Sequence, residues 1–244
     1  EHCQKEDIKS WHILYCKEVK TALPKDVYHR NTIQFHWFNR EYKVFDDFLS
    51  TLASRKRKNI RKERLSIIQQ NIKVRLLKNN EITQKDLEFF YLTYQLTYLK
   101  RGHQPHLNFE FFKLLLADMA ENMLLIIASH TQEDIACSLF FYDDNQLYGR
   151  YWGCTKQYKN LHFELCYYLG IEFCINNNLK IFKPGTQGEH KIQRGFEPVL
   201  THSYHWIKHP DLKEAIKNFC KEEQKHMLTY QQQCRQKLPF KKRD

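Results

Sequence analysis

Residues 184–198 read PGTQGEHKIQRGFEP and hold three of the chain's seven glycines and two of its six prolines. Glu189, His190, Lys191 and Arg194 stand in this stretch with little apolar filling. Gly185, Gly188 and Gly195 let the backbone bend or approach a ligand closely. Glu189, His190 and Lys191 are consecutive, so no regular element presents all three on one face, but in a loop two of them can converge on a substrate. A histidine beside a carboxylate at the end of a strand suits general-base work. The same pattern also fits a surface turn that uses its glycines only for positive φ.

A second set of candidates lies on an apolar helix expected over NLHFELCYYLGIEFCINNN, with Asn160 as its N-cap. Leu161, Phe163, Leu165, Cys166, Tyr167, Leu169, Ile171, Phe173 and Ile175 cover almost its whole circumference, which predicts a buried helix. His162, Glu164 and Glu172 sit within it nonetheless. A carboxylate removed from water is costly unless paired or protonated. Glu164 and Glu172 lie about 80° apart around the axis and can face one cleft. Two readings stand: a structural ion pair with a buried arginine, or a carboxylate of raised pKa acting as general base.

A third set is cationic. Ser54–Arg64 holds seven Lys or Arg in eleven residues, and Arg57, Arg61 and Arg64 share a helical face. This is either a solvated basic face or a phosphate-binding stripe, since guanidinium forks suit bidentate contacts. No aromatic residue interleaves the stripe, as single-stranded nucleic acid would require.

The elements that must position these groups alternate in type. WHILYCK (11–17) and TIQFHWF (32–38) are expected strands, followed by a helix from Phe45 to about residue 70. IKVRLLK (72–78) is a strand; Thr83 and Asp86 cap a helix that ends near Arg101, and another helix spans about 108–121. Strands at 123–129, 135–142 and 146–154 follow, the last two joined by a turn at 143–145. After the apolar helix come strands at 179–183 and 201–207, then a polar helix from Asp211. The order predicts an α+β fold with an antiparallel centre.

The chain's 244 residues suffice for one large domain or two small ones, and no apolar run is long enough for a membrane span. Eight cysteines form no CxxC pair and no zinc spacing, which predicts a reduced, cytoplasmic protein without a structural metal. A net charge of +11 favours an anionic partner. Nucleophile elbow, Walker loop and dinucleotide fingerprint are all absent, and His36, His103, His106 and His205 read as packing or surface residues.

Five segments carry a resemblance: QFHWFNREY (34–42), FDDFLSTLASRKRKNIRKER (45–64), LYGRYWGC (147–154), LHFELCYY (161–168) and residues 184–198. Together they resemble a bacterial family of N-acyltransferases, peptidoglycan-biosynthesis-like, in the FemAB-like branch of the GNAT superfamily. The resemblance implies a GNAT-like mixed, mostly antiparallel sheet, splayed near its middle, with helices on both faces. It also implies a C-terminal lobe at 45–244, with strands at 1–44 joining an N-terminal lobe of the same protein. GNAT enzymes bind the pyrophosphate of an acyl-CoA such as acetyl-CoA on backbone amides, here at Cys154–Leu161, although CTKQYKNL has no glycine where the family signature does. FemAB-type ligases use aminoacyl-tRNA and carry a Lys-x-x-Phe-Gly-like segment, to which KIQRGF (191–196) is similar with its Gly and Phe exchanged.

On this resemblance the expected reaction moves an acyl or aminoacyl group from acyl-CoA or aminoacyl-tRNA to an amine. Glu164 or His190, with Glu189 beside it, would take the amine's proton. Arg150, Lys191 and Arg194 would stabilise the oxyanion or hold the donor's phosphates, assisted by Arg57 and Arg61. His162, Trp152, Gly185, Gln187 and Gly188 would line the substrate. Two alternatives stand beside it: a non-catalytic GNAT-like module recognising an anionic partner, and a nucleic-acid binder working through Arg55–Arg64.

Overall fold

A computed structural model describes residues 6–19, 21–186 and 188–241, so Gln187 lies outside the described residues. In chain order the elements are β1 (Ser10–Cys16), β2 (Val27–Phe38), α1 (Phe45–Ser50), α2 (Ser54–Gln69), β3 (Lys73–Lys78), α3 (Gln84–Leu99) and α4 (Phe109–Met119). They continue as β4 (Met123–His130), β5 (Glu133–Tyr142), β6 (Gln146–Cys154), α5 (residues 161–176), β7 (Ile181–Lys183), β8 (Glu197–Ile207) and α6 (Pro210–Gln236). They form two compact units, Glu1–Phe35 with Thr186–Leu238, and His36–Gly185 with Pro239–Asp244.

In the first unit β1 pairs antiparallel with β8, Ser10 opposite Ile207 and Ile13 opposite Tyr204. The amphipathic helix α6 is tied to the sheet by polar contacts. Gln231 Nε2 donates to the Pro198 carbonyl at 3.1 Å, Gln224 Nε2 to the His29 carbonyl at 2.9 Å, and Arg30 pairs with Glu223.

In the second unit the strands run in the order β2 (its C-terminal end), β7, β6, β5, β4, β3. All neighbours are antiparallel except β6 and β7, which are parallel over three residue pairs. Leu124, Leu125, Ile126, Ile127 and Ala128 of β4 are all 0% exposed, so both faces of this sheet are covered. Cys137 and Ser138, adjacent on β5, point to opposite faces. Cys137 Sγ lies 3.0 Å from Thr93 Oγ1 of α3, and Ser138 Oγ donates to the Leu165 carbonyl of α5. Helices therefore pack on both faces, and the fold is α+β.

Three local expectations need correction. The helix expected from Phe45 to residue 70 breaks at residues 51–53, where Leu52 bridges Phe240 and the Ala53 amide donates to the Pro239 carbonyl at 2.8 Å. Backbone pairing with a distant segment replaces helical hydrogen bonds there. Asn160 is not a side-chain N-cap: its φ is 63°, and its Nδ2 donates to Ser66 Oγ on α2 at 2.9 Å. The strands expected from 32 and 201 begin earlier, at Val27 and Glu197.

Candidate active site

The parallel pairing of β6 with β7 ends at Tyr148 opposite Lys183. Beyond it the chain turns away at Pro184, while β6 continues to Cys154. Gly149 permits the tight crossing, because a Cβ there would lie 3.1 Å from Pro184 Cα. Past the split, α3 takes over the outer edge of β6. Thr97 Oγ1 donates to the Trp152 carbonyl at 2.9 Å, and Lys100 Nζ to the Cys154 carbonyl. Gly153 allows this approach, since a Cβ there would meet the Thr93 carbonyl oxygen at 2.3 Å.

A cavity of about 110 Å³ opens at the splay, lined on the strand side by Gly149, Arg150, Tyr151 and Trp152 and on the other by Pro184, Gly185 and the α5 residues His162, Cys166 and Tyr167. A water's share of liquid is about 30 Å³, so this space holds a group of a few heavy atoms rather than a whole cofactor. Two departures from regular structure frame it. Leu139 pairs with Tyr151 but Phe140 with Gly149, so Arg150 is the extra residue of a β-bulge, a device that re-aims side chains beside functional sites. Across the cavity, Glu164–Tyr168 forms a π turn within α5. Ser138 supplies a hydrogen bond to the Leu165 carbonyl inside that turn, at 3.2 Å.

The side chains at the cavity are arranged as walls and one cation. The His162 ring stands edge-on to Trp152 and Tyr167, with centroids 5.2 and 5.3 Å apart. The exposed Arg150 guanidinium lies over the Tyr151 ring at 4.9 Å. His162, Trp152, Arg150 and Gly185, all named from sequence, thus meet at one cavity. Cys166, Tyr167 and Ser138 join them, and no spacing in the sequence signals that they should.

Glu164 has a different surrounding. It is 5% exposed, and both its oxygens accept hydrogen bonds from Arg64 of α2, at 2.9 to 3.2 Å. Arg64 also reaches Glu172 at 2.8 and 3.0 Å, so one guanidinium serves two carboxylates. Its planar face stacks on Phe45 at 4.6 Å. Burial pushes the Glu164 carboxyl up from its usual pKa, with Arg64 pulling it down and Glu172 adding to the rise. Beside this cluster Tyr168 donates its hydroxyl hydrogen to Glu63. The buried arginine of the ion-pair reading is therefore Arg64.

The remaining sequence-named residues have other partners. Arg61 pairs with Asp46 at 3.0 Å, both exposed, and Arg57 lies half-buried on α2. In the first unit Glu189 accepts from the Tyr230 hydroxyl at 2.7 Å and lies 3.6 Å from Lys237 Nζ. The tyrosine bond and then the lysine charge lower its pKa. His190 sits against Gly188, and its pKa is lowered by partial desolvation and then by Lys191 and Arg194. Lys191 and Arg194 are buried within the 3₁₀ segment Glu189–Arg194, and Arg194 Nη1 donates to the His190 carbonyl at 2.9 Å.

The chain matches, over residues 1–242, a family model described as peptidoglycan biosynthesis/recognition. It belongs to the FemAB-like family. Among curated proteins none matches it. Three solved structures are similar in fold. A conserved protein of unknown function from Bacteroides thetaiotaomicron has a TM-score of 0.57 at 12% identity, over 85% of this chain and 72% of that one. FemX has a TM-score of 0.53 at 12% identity, over 87% and 69%. L-PGS from Bacillus licheniformis has a TM-score of 0.50 at 9% identity, over 79% and 67%. The sheet of this FemAB-like chain is mixed and mostly antiparallel, and it splays where β7 leaves β6. Among the described residues no helix is long and apolar enough to cross a membrane, and no three His, Cys, Asp or Glu gather as metal ligands.

Proposed function

We propose that this FemAB-like chain is an N-acyltransferase lobe that moves an acyl or aminoacyl group from an activated donor, acyl-CoA or aminoacyl-tRNA, to an amine. The observation that carries the proposal is the β6–β7 splay, with its small cavity between a bulge and a π turn. The acyl end of the donor occupies the cavity, walled by Trp152 and Tyr167. The acceptor nitrogen attacks the acyl carbonyl, and His162 takes the proton that the nitrogen sheds. The bond to the donor's thiol or ribose oxygen then breaks, and the proton passes to that leaving group. Arg150, the cation of the bulge, faces the developing oxyanion or the donor's phosphates. Glu164 acts in this scheme by holding α5 to α2 through Arg64, a positioning role.

Transfer of labelled acyl groups from acetyl-CoA and from bulk aminoacyl-tRNA to a panel of amines tests this. His162→Ala is expected to lower kcat by about 10²–10⁴, the range of general-base catalysis, with the fold retained. Arg150→Gln is expected to weaken donor binding. Undiminished turnover in H162A removes His162 from the mechanism. The second reading, a non-catalytic module for an anionic partner, is favoured by the engagement of Glu164 and Glu189 in ion pairs. Donor binding that depends on Arg150, with no transfer to any amine, would select it.

A further inference from the structure

Within the second unit, α2 buries one side and turns the other outward. Ile60 and Ile67 are buried, and Arg64 reaches Glu164 and Glu172 of α5. Lys58, Arg61, Leu65 and Ile68 stand at i, i+3, i+7 and i+10, so they share a stripe about 80° wide that is turned away from Ile60 and Ile67. Ile68 is 70% exposed, more than any other large apolar side chain described, and Leu65 is 50% exposed. Arg55 and Lys62 flank the stripe. Among the described residues Arg55, Lys58 and Lys62 pair with no carboxylate, and Arg61 pairs with Asp46, itself exposed.

A second element extends this cationic surface. A pocket of about 480 Å³ opens between α2 and the turn before α5, with Lys62, Ser66 and Gln69 on one wall and Lys159 on the other. Lys62 and Gln69 stand three and four residues from Leu65, so they are its neighbours on the helix surface. Gln70 pins the turn to α2: its Nε2 donates to the Lys159 carbonyl at 3.1 Å, and its Oε1 accepts from the Lys159 amide at 3.2 Å. The one carboxylate lining the pocket, Glu63, accepts the Tyr168 hydroxyl hydrogen.

Cations alone suit any polyanion; the exposed aliphatic side chains decide between them. An RNA backbone would leave Leu65 and Ile68 in water, and no aromatic side chain stands among them to stack on a base. A second copy of this chain would set like charges face to face. A bilayer containing anionic lipid suits both kinds of side chain, because its surface attracts Lys and Arg while its acyl boundary takes up aliphatic groups. We propose that this face of α2, with Lys159 beside it, docks on the surface of an anionic phospholipid bilayer. Leu65 and Ile68 insert below the lipid phosphates, and Arg55, Lys58, Lys62 and Lys159 lie among them. The surface shares no residue with the splay cavity, so it stands or falls apart from the function proposed above.

Co-sedimentation of the full chain with vesicles of phosphatidylcholine alone, and of phosphatidylcholine mixed with phosphatidylserine, tests it. Binding is expected to the mixed vesicles only, and it should weaken as salt rises. Lys58→Gln and Lys62→Gln should each lower the partition coefficient about fivefold, the weight of one cation at an anionic surface, and should flatten the salt dependence. Ile68→Ser should lower it about tenfold and leave the salt dependence as it was. Lys113→Gln, an exposed lysine of α4 paired with Glu110, should change nothing. All four side chains are exposed, so an unchanged urea midpoint is expected throughout. Equal binding to both kinds of vesicle, or none to the mixed ones, overturns the docking surface. Binding that I68S leaves unchanged overturns the insertion. Bulk transfer RNA bound in preference to the mixed vesicles, with I68S without effect, assigns the face to RNA instead.

Discussion

Arg64→Met is the most informative single change to the second unit. Methionine keeps an unbranched stem against Phe45, which the guanidinium now covers at 4.6 Å, and removes only the charge and its hydrogen bonds. Glu164 is then left buried without its cation. Breaking a buried pair by deleting one partner costs about 3–5 kcal/mol. The Arg64 and Glu172 side chains are 25% and 32% exposed, so water screens part of the cluster and the lower end, about 3 kcal/mol, is expected. At roughly 2–4 °C per kcal/mol for a chain of this size, Tm should fall by about 6–12 °C. The pH dependence gives the sign. Glu164's folded pKa is raised by burial, and losing Arg64 raises it further. A raised carboxyl pKa imposes no penalty below the unfolded value of about 4.3, an increasing one up to the folded pKa, and a constant one above it. The loss in R64M should therefore be full at pH 8 and smaller at pH 5, measured by urea unfolding. Adding Glu164→Gln to R64M should restore most of the stability. A loss under about 1 kcal/mol, or one equal at both pH values, would refute the claim that Arg64 compensates a buried charge.

Gly153→Ala drives a Cβ to 2.3 Å from the Thr93 carbonyl oxygen, and because that neighbour is backbone the cost should exceed the about 1–3 kcal/mol usual for overpacking, read as a fall in urea midpoint. Ser138→Ala leaves the Leu165 carbonyl of the π turn without its side-chain donor and should cost about 1–3 kcal/mol, with a change in acyl transfer if that turn shapes the cavity. In the first unit, His29 bonds His202 and His205 bonds His12, each at 2.8 Å, and partial burial followed by the neighbouring imidazole lowers the pKa of His29 and of His205. Depressed histidines contribute stability above the unfolded value of about 6.5 that is lost as pH falls through their folded pKa values. His29→Gln should flatten the stability–pH slope between pH 7 and 5, and an unchanged slope would exclude the pair as its source.

Much of the secondary structure was legible because each element announces itself over a few residues. The Thr83–Asp86 capping box closes as expected, with the Thr83 amide on Asp86 Oδ2 at 3.0 Å and the Asp86 amide on Thr83 Oγ1 at 3.2 Å. The apolar circumference of residues 161–176 gave away a buried helix, and the two glutamates in it required a cation. Arg64 was visible only as one of three arginines on a face; nothing local distinguishes it from Arg61, which ends in an exposed pair with Asp46. Arg150, His162, Trp152 and Gly185 were named for their types, yet their meeting at one cavity depends on where β7 leaves β6.

Hydrophobic periodicity, capping residues and turn residues by themselves determined which segments are helices and strands, because those preferences act within one or two turns of the chain. The five motifs likewise determined the resemblance, since it lies in residue types and their order. Only the tertiary structure decided that Glu164 is an ion-pair partner, that Arg150 is a bulge residue, and that Phe240 breaks a helix at Leu52. In each case the deciding partner is far along the sequence. Which of many equivalent cations, acceptors or strand edges it meets is set by long-range packing, where the energies of pairing and burial are realised.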